Sequence, residues 1–173
     1  MENFKLANDP FPTAVQLLET PLVRTKVGAV PGGARGRIAL VSKINISGVS
    51  IVSYNLHLES RANDELRLAQ LDEVLKDARA YEPAHLTIIA GDLNLNASDP
   101  APAEAMARAG FIHAVPTSRL ATTPARHLLE PGRQIDWAFV RGPVQIGKGH
   151  VHNSIKASDH YPISFEIGLS SGH

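Results

Sequence analysis

From Arg37 onward, apolar positions gather into short runs whose spacing switches between two periods. "RIALVSKI" and "VSIVSYNLHL" are rich in β-branched residues, and "NISG" between them suits a hairpin connection, so two adjacent strands are expected. The period then lengthens. Leu68, Leu71, Leu75 and Ala78 mark one helical face, Asn63 stands where an N-cap belongs, Asp64 and Glu65 occupy the first turn, and Pro83 sets a limit on the helix. "LTIIA" is continuously apolar, as in a strand covered on both faces. "PAEAMARAG" reads as a short helix closed by Gly110, and "IDWAFV", "VQIGKGHVH" and "PISFEI" read as further strands. The expected order is β-β-α-β-α-β-β-β, an α/β layering.

The ends of the chain read differently. Residues 1–36 are broken by Pro10, Pro12, Pro21, Pro31 and "PGGARGR", and only "PLVRTKV" there looks strand-like. This divides the chain into an irregular segment over 1–36, one domain over 37–168 and a flexible tail over 169–173. Thr117 to Gln134 is a long polar connection, the segment expected to shape access to a site.

Composition narrows the function classes. The 173 residues suffice for one domain with a sizeable core, and 17 basic against 17 acidic residues give no global field toward nucleic acid or an anionic membrane. The absence of cysteine removes disulfides, thiolate metal sites and cysteine nucleophiles, which fits a reducing, cytoplasmic location. No apolar run has the length of a membrane span, and the amino terminus lacks the pattern of a signal peptide.

"TIIAGDLNLNASDP" carries an apolar strand directly into Asp92, Asn94 and Asn96, whose alternation would put all three on one face of an extended segment. Taken alone, "GDLN" is equally an Asx-rich turn satisfying its own backbone. Three further strand ends bring polar groups: His57 in "SYNLHLES", Asp136 in "RQIDWAFV", and Asp159 with His160 in "KASDHYPI". Several carboxylates gathered near one another require a cation or an imidazolium, which points to a divalent metal. His150 and His152 share one face of a strand but have no evident third ligand, no "GxSxG" nucleophile motif is present, and "GGARGR" lacks the Gly-Lys-Ser/Thr ending of a P-loop. Arg24, Lys26, Arg35, Arg37, Arg119, Arg126 and Arg133 are candidates to line a phosphate approach, though surface arginines and lysines are commonly just solvated.

"NLHLES", "AGDLNLN", "IDWAFV" and "SDHYPI", in this order, closely resemble the carboxy-terminal motifs of the endonuclease/exonuclease/phosphatase superfamily, across about Arg35 to Ile167. The resemblance implies a four-layered α/β sandwich of the deoxyribonuclease I-like type, with the site at one end. It implies that Asp136 orients His160, the general base or a charged contact to phosphate. Asp92 would position the attacking water, Asn94 would hydrogen-bond a phosphate oxygen, and His57 would stabilise charge on the phosphoryl oxygens. Asp159, with Asp92, would hold Mg²⁺ or Mn²⁺. The implied substrates are phosphoesters: nucleic acid, inositol phosphate or a phospholipid headgroup. Glu59 follows His57 at the family spacing and is read as local structure.

Members of this superfamily begin with strand-borne motifs that include a metal-binding Glu, and nothing before Arg35 reads that way. The amino-terminal third is therefore expected to be absent or replaced, metal binding to be weak, and one sheet to be short of strands, with an exposed edge that invites a homodimer. Two readings stay open at this point: a metal-dependent phosphoester hydrolase, or an inactive remnant or fragment of that fold acting as a binding or assembly module.

Overall fold

The computed structural model describes residues 14–21, 37–46, 48–61, 63–80, 86–115, 120–125 and 130–169. Among the described residues, eight strands and two helices follow one another as β1 (Ala14–Pro21), β2 (Ile38–Ile46), β3 (Val49–His57), α1 (Asp64–Ala80), β4 (Leu86–Asp92), α2 (Ala101–Arg108), β5 (Ile112–His113), β6 (Asp136–Arg141), β7 (Val144–Val151) and β8 (Ile163–Leu169). They form a six-stranded sheet in the order β1-β2-β3-β4-β6-β5 and a two-stranded sheet of β7 and β8.

The local signals explain most of these elements. β2 and β3 pair antiparallel around a tight turn in which the Asn45 carboxamide oxygen accepts the Gly48 N–H at 3.1 Å and Gly48 takes φ +83°, a conformation that favours glycine. The Asn63 side chain caps α1 by accepting the Leu66 N–H at 3.2 Å. Leu71, Val74, Leu75 and Ala78 of that helix are buried against Tyr54, Leu56, Ile89, Trp137 and Phe139, together with Met106 of α2. The crossover from β3 through α1 to β4 makes those two strands parallel, whereas β4 and β6 are antiparallel.

Alternation along the strands gives the larger sheet two apolar faces. One face carries both helices. The opposite face, bearing Ile51, Leu86, Ile88, Ala90, Ala138 and Val140, packs on Val144, Ile146, Val151, Ile163, Phe165 and Ile167 of the small sheet. β4 is thus covered on both sides, as its continuously apolar run requires. Three layers of the expected four are present among the described residues: helices, large sheet and small sheet. Within them the small sheet has two strands, and β8 pairs only with β7.

The amino-terminal reading needs correction. A strand forms at Ala14–Pro21 and pairs along its length with β2, in a stretch expected to be irregular. Its "AVQLLET" core precedes Pro21, which closes the strand at the sheet edge, where a missing N–H is tolerated. The strand expected at "PLVRTKV" lies, after Pro21, outside the described residues.

His113 on β5 packs against Trp137 and Phe139, with ring centroids 5.0 Å from each, and its Nε2 is buried without a hydrogen-bond partner. Burial lowers its pKa from 6.5 to about 4, so the folded state resists a proton that the unfolded chain accepts. The associated stability is fully present above pH 6.5 and is lost as pH falls toward 4. Urea unfolding at about pH 7 and about pH 5 should therefore show an acid loss of at most about 2 kcal/mol that disappears in His113→Phe. Equal pH dependence in the two proteins would contradict this account of His113.

Candidate active site

Strand register builds the site. His57 ends β3 and lies opposite Asp92 at the end of β4, and Asp92 lies opposite Asp136 at the start of β6. Three neighbouring strand ends thus present an imidazole and two carboxylates in a row, on the face that also bears Ile51, Ala90 and Ala138 and turns toward the small sheet. His160 enters from the loop that precedes β8.

Gly91 makes this register possible. It takes φ +135°, and a Cβ there would meet the Leu56 carbonyl oxygen at 2.1 Å, so only a glycine lets β4 approach β3 this closely next to Asp92. Backbone bonds then hold the loop after β4: Leu58 N–H to Asp92 C=O at 2.9 Å, Leu93 N–H to Ile135 C=O at 3.0 Å, and Ala97 N–H to Gln134 C=O at 3.0 Å. Buried Trp137 adds its indole N–H to the Leu95 carbonyl at 2.8 Å.

Among the side chains, the His160 Nδ1 meets Asp136 Oδ2 at 2.8 Å and Oδ1 at 3.1 Å. Its Nε2 then faces Asp92 Oδ2 at 3.9 Å, and the exposed His57 places Nε2 3.7 Å from the same oxygen. Asp92 Oδ1 accepts the Asn94 N–H at 2.8 Å. Donor atoms of Asp92, Asp136 and His160 lie within 4.8 Å of one another, and among the described residues this is the one group of three or more ligating side chains so arranged. Burial raises the Asp92 pKa, with Asp136 adding to the effect, against the Asn94 N–H and the two imidazoles, which lower it.

The other residues singled out in the sequence fall in different places. Asn94 adopts φ +52° and donates Nδ2–H to the Leu58 carbonyl at 3.1 Å. Asp92 and Asn94 thus form the Asx turn that "GDLN" allows, and the chain is not extended through Asn96, although Leu93 and Leu95 remain buried between the polar positions. Asn96 is exposed and caps the Ser98 N–H at 3.2 Å. Asp159 is exposed, accepts a hydrogen bond from the Ser158 hydroxyl at 3.3 Å and stands outside the ligating group. Glu59 is buried, accepts the Arg61 N–H at 3.0 Å and lies 3.4 Å from the Arg37 guanidinium; these contacts, led by the Arg61 N–H, lower its pKa against the effect of burial. The bond to Arg61 closes the turn that follows β3. His150 on β7 and His152 just past its end have ring centroids 6.2 Å apart, with His152 Nε2 2.7 Å from the Ser164 hydroxyl.

Beside His160 opens a cleft of about 540 Å³, lined by Asn96, Thr123, Pro124, Glu130, Pro131 and Arg133. Five of these six come from the Thr117 to Gln134 connection expected to shape access. Arg133 is thereby placed at the site, while Arg24, Lys26, Arg35, Arg119 and Arg126 lie outside the described residues. The sequence reading missed Thr123 and Glu130, whose position depends on how the connection folds back on itself.

A profile of the Endonuclease/Exonuclease/phosphatase family matches residues 3–160. Tyrosyl-DNA phosphodiesterase 2 of Xenopus laevis is 37% identical over 90 residues, which are 50% of this chain and 24% of that protein. The chain spans about a quarter of the length of the curated relatives it matches. Among solved structures, an endonuclease/exonuclease/phosphatase from Bacteroides vulgatus superposes with a TM-score of 0.73 at 18% identity, covering 91% of this chain and 67% of its own. TDP2 of D. rerio, complexed with single strand DNA product, gives 0.69 at 19% identity and coverages of 92% and 68%. The mannosyl-6-phosphatase of Bacteroides thetaiotaomicron gives 0.67 at 16% identity, with 91% and 67%. At these identities the structural matches speak for the fold.

The raised pKa of Asp92 carries a stability consequence. A carboxylate that is desolvated and faces a second carboxylate destabilises the folded state at neutral pH. Asp92→Asn can keep an oxygen for the Asn94 N–H and removes that charge, so in chelator its melting temperature should exceed that of the unsubstituted protein by a few degrees. A lower melting temperature for Asp92→Asn would show that the carboxylate is not under this electrostatic load.

Proposed function

Because the chain belongs to the endonuclease/exonuclease/phosphatase family, we propose that it is a phosphoester hydrolase that depends on Mg²⁺ or Mn²⁺ and works at the His57, Asp92, Asp136 and His160 cluster. The observation that carries this reading is the meeting of Asp92 with the Asp136–His160 pair, supplied by three separate segments of chain. A structural Asx turn has no use for the other two segments.

The donor set fits a hard divalent ion. Asp92 and Asp136 offer carboxylate oxygens on neighbouring strand ends, burial raises the Asp92 pKa and so penalises its charge, and a cation at the pair would relieve that cost. Asp92 and Asp136 are the residues that would hold the ion; Asp159, exposed and next to His160 in sequence, is proposed as a ligand through water. When bound, such an ion supplies positive charge to phosphoryl oxygens and lowers the pKa of coordinated water.

The chain's own groups divide the remaining work. Asp136 fixes the His160 ring through Nδ1, so Nε2 is presented for proton exchange with the attacking water or for contact with a phosphoryl oxygen. Asp92 orients that water through Oδ2, while Oδ1 stays on the Asn94 N–H. His57, exposed and 3.7 Å from Asp92, stabilises charge that develops on phosphoryl oxygens. Asn94 spends one Nδ2 hydrogen on Leu58 and keeps the other for a phosphate oxygen. The open cleft with Arg133 receives the substituent of the phosphate. A nucleic acid end is the substrate class favoured here, on the 37% identity to a tyrosyl-DNA phosphodiesterase. The homodimer expected from an exposed edge would form through β8, and a monomer in sedimentation at high concentration would exclude it.

Hydrolysis of bis-nitrophenyl phosphate should require Mg²⁺ or Mn²⁺ and stop with chelator. Asp92→Asn and His160→Ala should each lower kcat by about 10²–10⁴-fold while leaving the circular dichroism spectrum unchanged. Turnover that is insensitive to chelator, or unchanged in both folded variants, would refute the assignment.

A further inference from the structure

We propose that Thr122 is the positioning residue of the Asp136–His160 pair, an inference that rests on the reading of that pair as the hydrolytic centre. Asp136 opens β6, whereas His160 sits in a loop between β7 and β8, so sheet register does not align one with the other. A separate device has to bring the two segments together, and Thr122 touches both.

The Thr122 side chain is completely buried, at 0% exposure. Its Oγ1 accepts two N–H groups, that of Ile135 at 3.1 Å and that of Asp136 itself at 3.1 Å. With both lone pairs engaged, the hydroxyl hydrogen is left to donate to the Arg133 carbonyl at 3.3 Å, an oxygen that also accepts the Thr122 N–H at 2.9 Å. On the opposite side, the Thr122 carbonyl accepts the N–H of Tyr161, the neighbour of His160, at 2.7 Å. One residue therefore fixes the peptide on which Asp136 stands and the peptide next to His160. The 2.8 Å contact between their side chains depends on both.

Thr123 reinforces one half of this arrangement. Its Oγ1 accepts the Arg133 N–H at 2.9 Å and its N–H donates to the Arg133 carbonyl at 3.0 Å, which pins the chain leading into β6 but not the His160 loop. Thr122 alone of the two threonines engages Asp136 and Tyr161. Valine has the shape of threonine without its oxygen, so Thr122→Val removes the acceptor of one buried and one part-buried N–H group where Asp136 begins its strand. The start of β6 then relaxes, and His160 loses the fixed partner at Nδ1.

A merely structural threonine would change stability and leave the state of the imidazole alone. The test therefore compares the full chain with Thr122→Val and Thr122→Ser, using long-range ¹⁵N–¹H spectra of the histidines at mildly alkaline pH. We expect His160 in a single Nδ1–H tautomer in the unsubstituted protein and in Thr122→Ser, and a mixture of tautomers in Thr122→Val. With bis-nitrophenyl phosphate, kcat of Thr122→Val should fall by about ten-fold at a KM changed by less than about two-fold, with Thr122→Ser close to the unsubstituted protein. A folded Thr122→Val with an unchanged His160 tautomer overturns the proposal. If that variant does not fold, amide exchange in the unsubstituted protein decides: slow exchange shared by Ile135, Asp136 and Tyr161 supports the clamp, and rapid exchange at Asp136 or Tyr161 overturns it. Absence of turnover in every protein would defeat the hydrolase reading, yet the tautomer result would still decide the role of Thr122.

Discussion

β4 can occupy only one register between β3 and β6, and the site exists because of it. Shifting a strand by one residue turns every side chain to the other face. For β4 that would move Asp92 from the face it shares with Ile88 and Ala90 to the helix-covered face of Ile89 and Leu93. The apolar alternation on both faces forbids the shift, and the close approach of Gly91 to Leu56 fixes the partner residue by residue. His57, Asp92 and Asp136 are aligned as a by-product of a core that would be packed this way regardless of chemistry.

What the core does not provide is electrostatic comfort. Two carboxylates on adjacent strand ends, one with a raised pKa, are a net cost to an ion-free fold. The surrounding groups offset part of it: the Asn94 N–H on one Asp92 oxygen, two imidazoles near the other, and His160 on Asp136. A perturbed carboxylate beside a charged partner in a cleft is a common mark of a functional site.

Much of this was legible in the sequence, for reasons that can be stated. β2, β3, α1 and β4 each carry a strong local period with matching end signals, so pattern and tertiary packing agree. His57, Asp92 and Asp136 could be picked out because polar groups on apolar strand ends are conspicuous, and His160 because it lies just ahead of the apolar run of β8. β1 was obscured by the prolines around it, since a strand at a sheet edge draws its definition from the pairing partner, here β2. Alternation placed Asn94 and Asn96 beside Asp92, whereas the local Asx turn governs the backbone there. Thr122 had no signal at all. Its hydroxyl gains meaning only when residues 13 and 14 positions later fold back over it and the loop containing Tyr161 arrives from beyond β7.

The proposed reaction is attack on phosphorus by water activated between Asp92 and His160. The most direct test is to hydrolyse a phosphodiester with the full chain and Mg²⁺ in ¹⁸O-labelled water and to weigh both products by mass spectrometry. One labelled oxygen is expected in the phosphate-bearing product and none in the released alcohol. Label in the alcohol, or no hydrolysis under these conditions, would contradict it.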